Sequence, residues 1–194
     1  MISSYENQSI DLPVPTLKKS ESLKVIPDKV FTLRLATQAD FPAIRDLIDF
    51  VEINPIGLDW RRFIIAVDVD DCLVGCGQVK PHRDGSLELA SIAVRPEWRG
   101  RGVARAIILQ LLKDYPSPLY LICRNHLRTF YEKLGFVSIT DLGAMPLHFR
   151  WLIRTVQVFQ RLALIDERIL KVSNLLRLGV THEPSLIMRC ENKS

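Results

Sequence analysis

Residues 98–104 read WRGRGVA and stand between a strand-like run and a helical one. Upstream, residues 86–96 read SLELASIAVRP, and the strand pattern ends at Val94. Downstream, Ile107, Ile108, Leu111 and Leu112 recur with helical spacing. A helix start exposes amides without partners and carries partial positive charge. Glycines there let an anion approach the backbone closely, because no Cβ intervenes. The chemistry expected of Gly100 and Gly102 is therefore phosphate binding by amides, with Arg99 and Arg101 able to add charge. Tight packing of strand on helix is the bland alternative. The motif is no dinucleotide fingerprint, since its glycines follow a run of hairpins. Nor is it a Walker loop, which needs Gly-Lys-Ser/Thr.

The elements that must position this loop read as follows. FTLRLAT (31–37) predicts a first strand. Asp40 is placed to cap a helix over 41–52, with Pro42 in the tolerated first turn. Residues 62–68 and 72–82 predict a hairpin turning at Asp70–Asp71, and 87–94 a fourth strand. The helix of 100–115 is broken by Pro116 and Pro118. A fifth strand spans 119–124, a helix 126–134 stopped by Gly135, and a sixth strand 136–140. A last strand spans 185–191. Hairpins followed by strand–helix–strand units give a mixed α/β sheet with helices on its faces.

The 194 residues fit one domain with an appendage. With 47% hydrophobic and 25% charged residues, the chain can build a sizeable core. A net charge of +4 suits an anionic small ligand and falls short of a nucleic-acid arm. Cys72, Cys76, Cys123 and Cys190 lack metal-site spacing and read as reduced structural thiols. No stretch reaches the roughly 18 apolar residues of a membrane span. No signal-peptide pattern opens the chain, so a cytoplasmic protein is expected. Residues 1–30 read as an irregular arm, and 31–194 as the domain.

The words ELASIAVRPEWRGRGVARAIILQLL (88–112) and FYEKLGF (130–136) occur in an order, and with elements between them, that resemble the GNAT superfamily. These are the Gcn5-related N-acetyltransferases. Arg99, Gly102 and Ala104 match the family pattern Arg/Gln-x-x-Gly-x-Gly/Ala, and the resemblance runs over 31–140 plus the last strand. It implies a mixed, mostly antiparallel seven-stranded twisted sheet with helices on both faces. It also implies acetyl-CoA as cosubstrate, an amine acceptor and no metal. The amides of Arg99, Gly100, Arg101, Gly102, Val103 and Ala104 would hold the pyrophosphate. Backbone groups of Ile92, Ala93 and Val94, on a fourth strand splayed from the fifth, would pair with the pantetheine arm, and the Ile92 amide would face the thioester carbonyl.

Glu88 stands where several family members carry a general base; the alternative is a solvated strand residue. His82 is a spare candidate for the base. Tyr131 stands where the family places a general acid beside the cofactor sulfur, and packing is its alternative role. Cys123 lies near the expected cofactor, yet no cysteine stands where an acetyl-enzyme would form, so transfer is direct. Two positions depart from the pattern. Many relatives carry Asn where this chain has Arg124 and a small residue where it has Leu127. Asn125, one place later, is the nearest substitute for a pantetheine contact.

The acceptor carries no motif, and small molecules and protein amines both fit. Asp46, Asp49, Glu52 and Asp59 could attract a cationic amine or simply face solvent. Residues 146–178 form a helical insert before the last strand, predicted as two helices hinged near Ala163–Asp166. It holds six basic residues and two acids, and suits a packed hairpin, a protein partner or self-association surface, or an anionic membrane. The rival to an enzyme is a GNAT-fold protein that binds CoA, or keeps only the fold, and works through this insert and the N-terminal arm.

Overall fold

The computed structural model describes residues 30–163 and 185–191. The arm of 1–30, all but its last residue, and the second half of the insert, with its expected hinge, lie outside them. The elements run β1 (Thr32–Leu35), α1 (Phe41–Phe50), β2 (Phe63–Val67), β3 (Leu73–Pro81), β4 (Leu87–Val94), α2 (Val103–Asp114), β5 (Leu119–Arg124), α3 (Arg128–Glu132), β6 (Val137–Ser138), α4 (Leu147–Ala163) and β7 (Ser185–Cys190). They build one seven-stranded sheet in the order β1-β2-β3-β4-β5-β7-β6. All neighbours are antiparallel except β4 and β5. The expected mixed, mostly antiparallel sheet is the one that forms.

Alternation along β2 sends side chains to two cores, as period-2 geometry requires. Ile64 and Ala66 join α2 residues Ile107, Ile108 and Leu111, while Phe63, Ile65 and Val67 join α1 residues Ile44, Leu47 and Ile48. A third cluster puts Met145 and Phe149, at the start of α4, against Tyr120 and Ile187 of the sheet. Tyr120 follows Leu119, which faces α2, so α4 shares the α1 face. Each fully buried aliphatic contributes about 1.5–3 kcal/mol. The six buried residues of α2 therefore anchor that helix firmly.

Two glycines of β3 bring α2 close. A Cβ on Gly77 would meet Ile92 Cδ1 at 2.5 Å and Ile107 Cγ2 at 2.8 Å, and one on Gly75 would meet Val103 Cγ1 at 2.7 Å. The start of α2 thereby sits tight on the strands that carry the candidate site.

Asp40 departs from its expected role. It stands at the start of α1, but its side chain makes no bond to that helix. It accepts instead from the Thr37 amide and hydroxyl, both at 2.7 Å, and from Arg34 at 2.8 and 2.9 Å. An arginine fork outcompetes a helix amide for a carboxylate it can bind with two donors. The Arg34 guanidinium holds the Asp40 carboxyl well below the usual carboxylate range. A depressed pKa gives stability that is present above the unfolded pKa and lost as pH falls through the folded one. Asp40→Asn is therefore expected to cost about 2 kcal/mol at pH 7. In thermal melts, the gap to the natural chain should narrow steadily below the usual carboxylate pKa. A gap that is constant down to pH 2 would mean the charge contributes nothing.

The remaining departures are shifts of boundary. The helix expected from residue 100 begins at Val103, because Gly100 (φ 73°) and Gly102 (φ 80°) adopt left-handed backbone and form the preceding turn. Helix α3 keeps only Arg128–Glu132, its predicted first turn being a 3-10 turn over Asn125–Leu127. Strand β6 is two residues long, since it pairs only with β7 at the sheet edge. Cys72 is exposed ahead of β3, where its amide donates to Asp68 Oδ1 at 2.9 Å.

Candidate active site

Strand β4 contains a kink. Its register with β3 passes from Gln78↔Ala90 to Cys76↔Ala93, so Ser91 and Ile92 together oppose Gly77. This is a β-bulge, which leaves backbone unpaired and bends the strand. Ser91 takes φ 56°, left-handed backbone that favours glycine. The buried amide of Gln78 donates to Ser91 Oγ at 3.0 Å and also bridges to the loop before β2, reaching the Gly57 carbonyl and the Asp59 amide, both at 3.4 Å.

Ahead of the bulge, after Glu88, β4 leaves β5. The two pair only at Leu87↔Leu119 and Glu88↔Tyr120, although β4 runs on to Val94 and β5 to Arg124. The two strands thus run on past their last ladder contact with no pairing between them, and Ile92, Ala93 and Val94 lie on this divergent stretch. The chain leaves β4 at this same end and returns as α2, so the amides of the first turn of α2 stand at the top of the split. The expected cofactor residues of β4 and the glycine loop are brought together.

The loop is open on the side of Gly100. A Cβ on Gly100 would meet nothing within 4 Å. Gly102 occupies the cap position of α2, and its carbonyl takes the first helical bond, from Ala106 at 2.9 Å. Arg99 is exposed. Arg101 is half-buried rather than freely solvated, and its Nε donates to the Glu97 carbonyl at 3.1 Å. Asn125 is exposed in the 3-10 turn after β5, and the neighbouring Arg124 and Leu127 are also exposed.

Tyr131 is buried at 8% exposure, its ring set edge-on to Phe130 and Phe136. Burial, and Cys123 beside it, push its hydroxyl pKa well above 10, so it holds its proton at neutral pH. Burial likewise raises the Cys123 thiol to about 11, and its Sγ lies 3.8 Å from the Met188 sulfur. A thiol that stays protonated is a poor nucleophile.

Glu88 is half-buried and bonded to His82, Nε2 to Oε2 at 2.9 Å. His82 stacks on His148, with ring centroids 3.4 Å apart and planes 11° from parallel. Phe149 meets both rings edge-on, at 5.8 and 5.3 Å. Burial, and the neighbouring His82, lower the His148 pKa. The His148 amide donates to Asp84 Oδ2 at 2.7 Å. Burial works against the Asp84 charge, but bonds from Ser86 and His148 hold its carboxyl down to about 2. Lys80 pairs with Glu88 in the sheet register, and its ammonium donates to the Ile56 carbonyl at 2.6 Å. Burial lowers the Lys80 pKa, and Glu88 opposes that shift.

Sequence reasoning passed over Gln78, Lys80 and His148. The first two had a visible signal, polar residues inside an apolar strand. His148 had none, because it lies 60 residues from Glu88 in the chain and reaches it only through the packing of α4.

Residues 59–138 match the family model for the acetyltransferase (GNAT) domain. Over that stretch the chain is similar to the GNAT acetyltransferases. The matched stretch holds the bulge, the split, the glycine loop and Tyr131. Solved structures share the fold. N-acetylglutamate synthase from Neisseria gonorrhoeae, complexed with coenzyme A and N-acetyl-glutamate, superposes with a TM-score of 0.61 at 18% identity, over 84% of this chain and 35% of that one. The same synthase complexed with coenzyme A and L-arginine gives 0.57 at 18% identity, over 83% and 33%. The chain thus spans about a third of the length of that enzyme. Rv2747 from Mycobacterium tuberculosis, in complex with CoA, gives 0.55 at 18% identity, over 84% of this chain and 99% of that one. A search of curated proteins finds no match to the sequence. Among the described residues, no helix is long and apolar enough to cross a membrane.

Proposed function

We propose that the chain is an acetyl-CoA-dependent N-acetyltransferase that passes acetyl directly to a primary amine. The observation that carries this reading is the split between β4 and β5, with the glycine-bounded start of α2 at its open end. The residues there fit the cosubstrate. A slot with unpaired strand backbone takes the amide-bearing pantetheine arm, and amides free of Cβ cover take the pyrophosphate. Ile92, Ala93 and Val94 would hold the arm. Arg99 through Ala104 would hold the diphosphate.

Catalysis then falls to three groups. Glu88 takes the proton from the acceptor ammonium, directly or through water, with His82 fixing its carboxylate. The Ile92 amide donates to the thioester oxygen as negative charge gathers there, worth about 3 kcal/mol of barrier for one such donor. The amine nitrogen bonds to the acetyl carbon and the carbon–sulfur bond breaks. Tyr131 gives its proton to the departing thiolate and regains one from solvent. Its raised pKa keeps it in the acid form needed for that step. The high pKa of Cys123 supports direct transfer over an acetyl-enzyme.

Tyr131→Phe should slow acetyl transfer at least about tenfold while leaving CoA affinity nearly unchanged, the signature of an interaction made only in the transition state. Steady-state kinetics beside a CoA titration checks this, and equal rates would remove Tyr131 from the chemistry. An acceptor screen with amino acids, polyamines, aminoglycosides, lysine peptides and protein N-termini tests the function itself. Amino acids come first, because fold neighbours are complexed with N-acetyl-glutamate and L-arginine. A second reading, a CoA-binding interaction protein, draws support from α4, where Leu147 and Trp151 lie one turn apart and are 64% and 66% exposed. Tight CoA binding with no acceptor in the whole screen would favour it.

A further inference from the structure

The histidine cluster beside Glu88 does more than a general base needs. One bonded partner would fix the carboxylate, yet the fold adds a second imidazole from a different element. His82 follows β3, Glu88 lies on β4, and His148 is the second residue of α4. Each offers a ligand atom, and these atoms all lie within 4.8 Å of one another.

We propose that His82, Glu88 and His148 bind one divalent transition metal ion of the zinc class, and that the ion, when bound, silences acetyl transfer by occupying Glu88. The ligand set decides the class. Two imidazoles and one carboxylate, with a fourth position for water, suit Zn²⁺. Magnesium and calcium prefer all-oxygen ligation. The distances are near those of a closed site. Tetrahedral bonds of about 2 Å place two donor atoms about 3.3 Å apart. His82 and Glu88 already stand at 2.9 Å. Closing the widest gap takes a shift of about 1.5 Å or less, given those bond lengths. The rings lie nearly parallel, so their nitrogens must turn toward a common point. Rotation about the terminal imidazole torsion is soft, and it supplies that turn.

The support for the ligands is stiff. The His148 amide is held by Asp84 at 2.7 Å, and the next residue, Phe149, is fully buried against Tyr120 and Ile187. His82 and Glu88 side chains are only 13% and 17% exposed, which limits competition from bulk water while leaving one open position. The local charge also suits a cation. Glu88 and Asp84 set two carboxylates against the one ammonium of Lys80, which donates to the Ile56 carbonyl. The ion is no cofactor here. By drawing the lone pairs of Glu88 it removes the proton acceptor, so it acts as a reversible brake. That second clause rests on the proposed acetyltransferase reading, but binding itself does not.

The test uses the full chain, stripped by chelator, in a Cys72→Ser background, because the exposed Cys72 thiol would compete for metal. Co²⁺ is titrated as a coloured stand-in for Zn²⁺, and Zn²⁺ is titrated by calorimetry. The expected result is visible d–d absorption saturating at one ion per chain and displaced by Zn²⁺. His148→Phe keeps an aromatic ring against His82 but removes the ligand nitrogens. It should weaken Zn²⁺ binding at least about tenfold, as should Glu88→Gln. His126→Ala should bind as the parent does. Circular dichroism and thermal melting establish that each variant is folded. No d–d bands and no heat, or parental affinity in folded His148→Phe, would overturn the site. In the transfer assay Zn²⁺ should inhibit the parent, with a tenfold higher inhibition constant in His148→Phe. Binding without inhibition would overturn the brake alone. Because the metal titrations need no acetyl-CoA, they stand or fall apart from the acetyltransferase reading.

Discussion

Gly102→Glu leaves a folded protein whose affinity for acetyl-CoA drops at least about a hundredfold, a loss of roughly 2.7 kcal/mol. Three effects act together. Gly102 sits at φ 80°, where a side chain strains the backbone by about 1–3 kcal/mol. The strain falls on the cap of α2, and so on the direction of its first amides. The new carboxylate can also accept from those amides itself, because an acid is favoured at a helix start. Finally, like charge repels the pyrophosphate. Gly102→Ala separates these causes, since it brings the strain without the charge, and should lose only part of the affinity. Calorimetric titration of both variants gives the answer. Unchanged affinity in Gly102→Glu would move the pyrophosphate away from residues 99–104.

The other large effect is expected at Glu88. Glu88→Gln keeps the shape of the side chain and a polar atom for His82, but an amide cannot take a proton from an ammonium. General acid–base groups contribute about 10²–10⁴-fold, so kcat should fall at least about a hundredfold. The affinity for acetyl-CoA should change little, because the Glu88 side chain belongs to the paired end of β4 rather than the split. Full activity would place the base elsewhere. Loss of CoA affinity with unaltered turnover would assign Glu88 to binding. Unlike the tyrosine substitution, this one probes the acceptor side of the reaction.

The sequence made the sheet legible where strands lie inside it. Strands β4 and β5 occur at the predicted residues, because burial on one or both faces imposes an unbroken apolar or alternating pattern. It was less informative at edges and ends. Strand β6 has one neighbour and two residues, too few to write a pattern. Asp40 reads as a cap because the rule for caps is local, whereas Arg34, which also holds Asp71 of the following hairpin, takes its carboxylate. The glycine loop and Tyr131 are legible as candidates because backbone close approach and a fixed word leave marks in the sequence. The bulge left none. Its left-handed residue is Ser91, not glycine, and only the paired register reveals it. The same reason hid the histidine stack, for no spacing along the chain connects His82 with His148. What joins them is the docking of Phe149 between α4 and the sheet.

We propose the split between β4 and β5, capped by α2, as a live acetyl-CoA site. Calorimetric titration of the purified chain with acetyl-CoA tests it most directly, with desulfo-CoA and ATP as controls. The expected result is binding at micromolar concentration, on the order of −8 kcal/mol, with one cosubstrate per chain and no heat from ATP. Desulfo-CoA should bind comparably, since the diphosphate and the pantetheine arm supply the contacts. A folded sample that gives no heat with acetyl-CoA would mean that the split holds no cosubstrate.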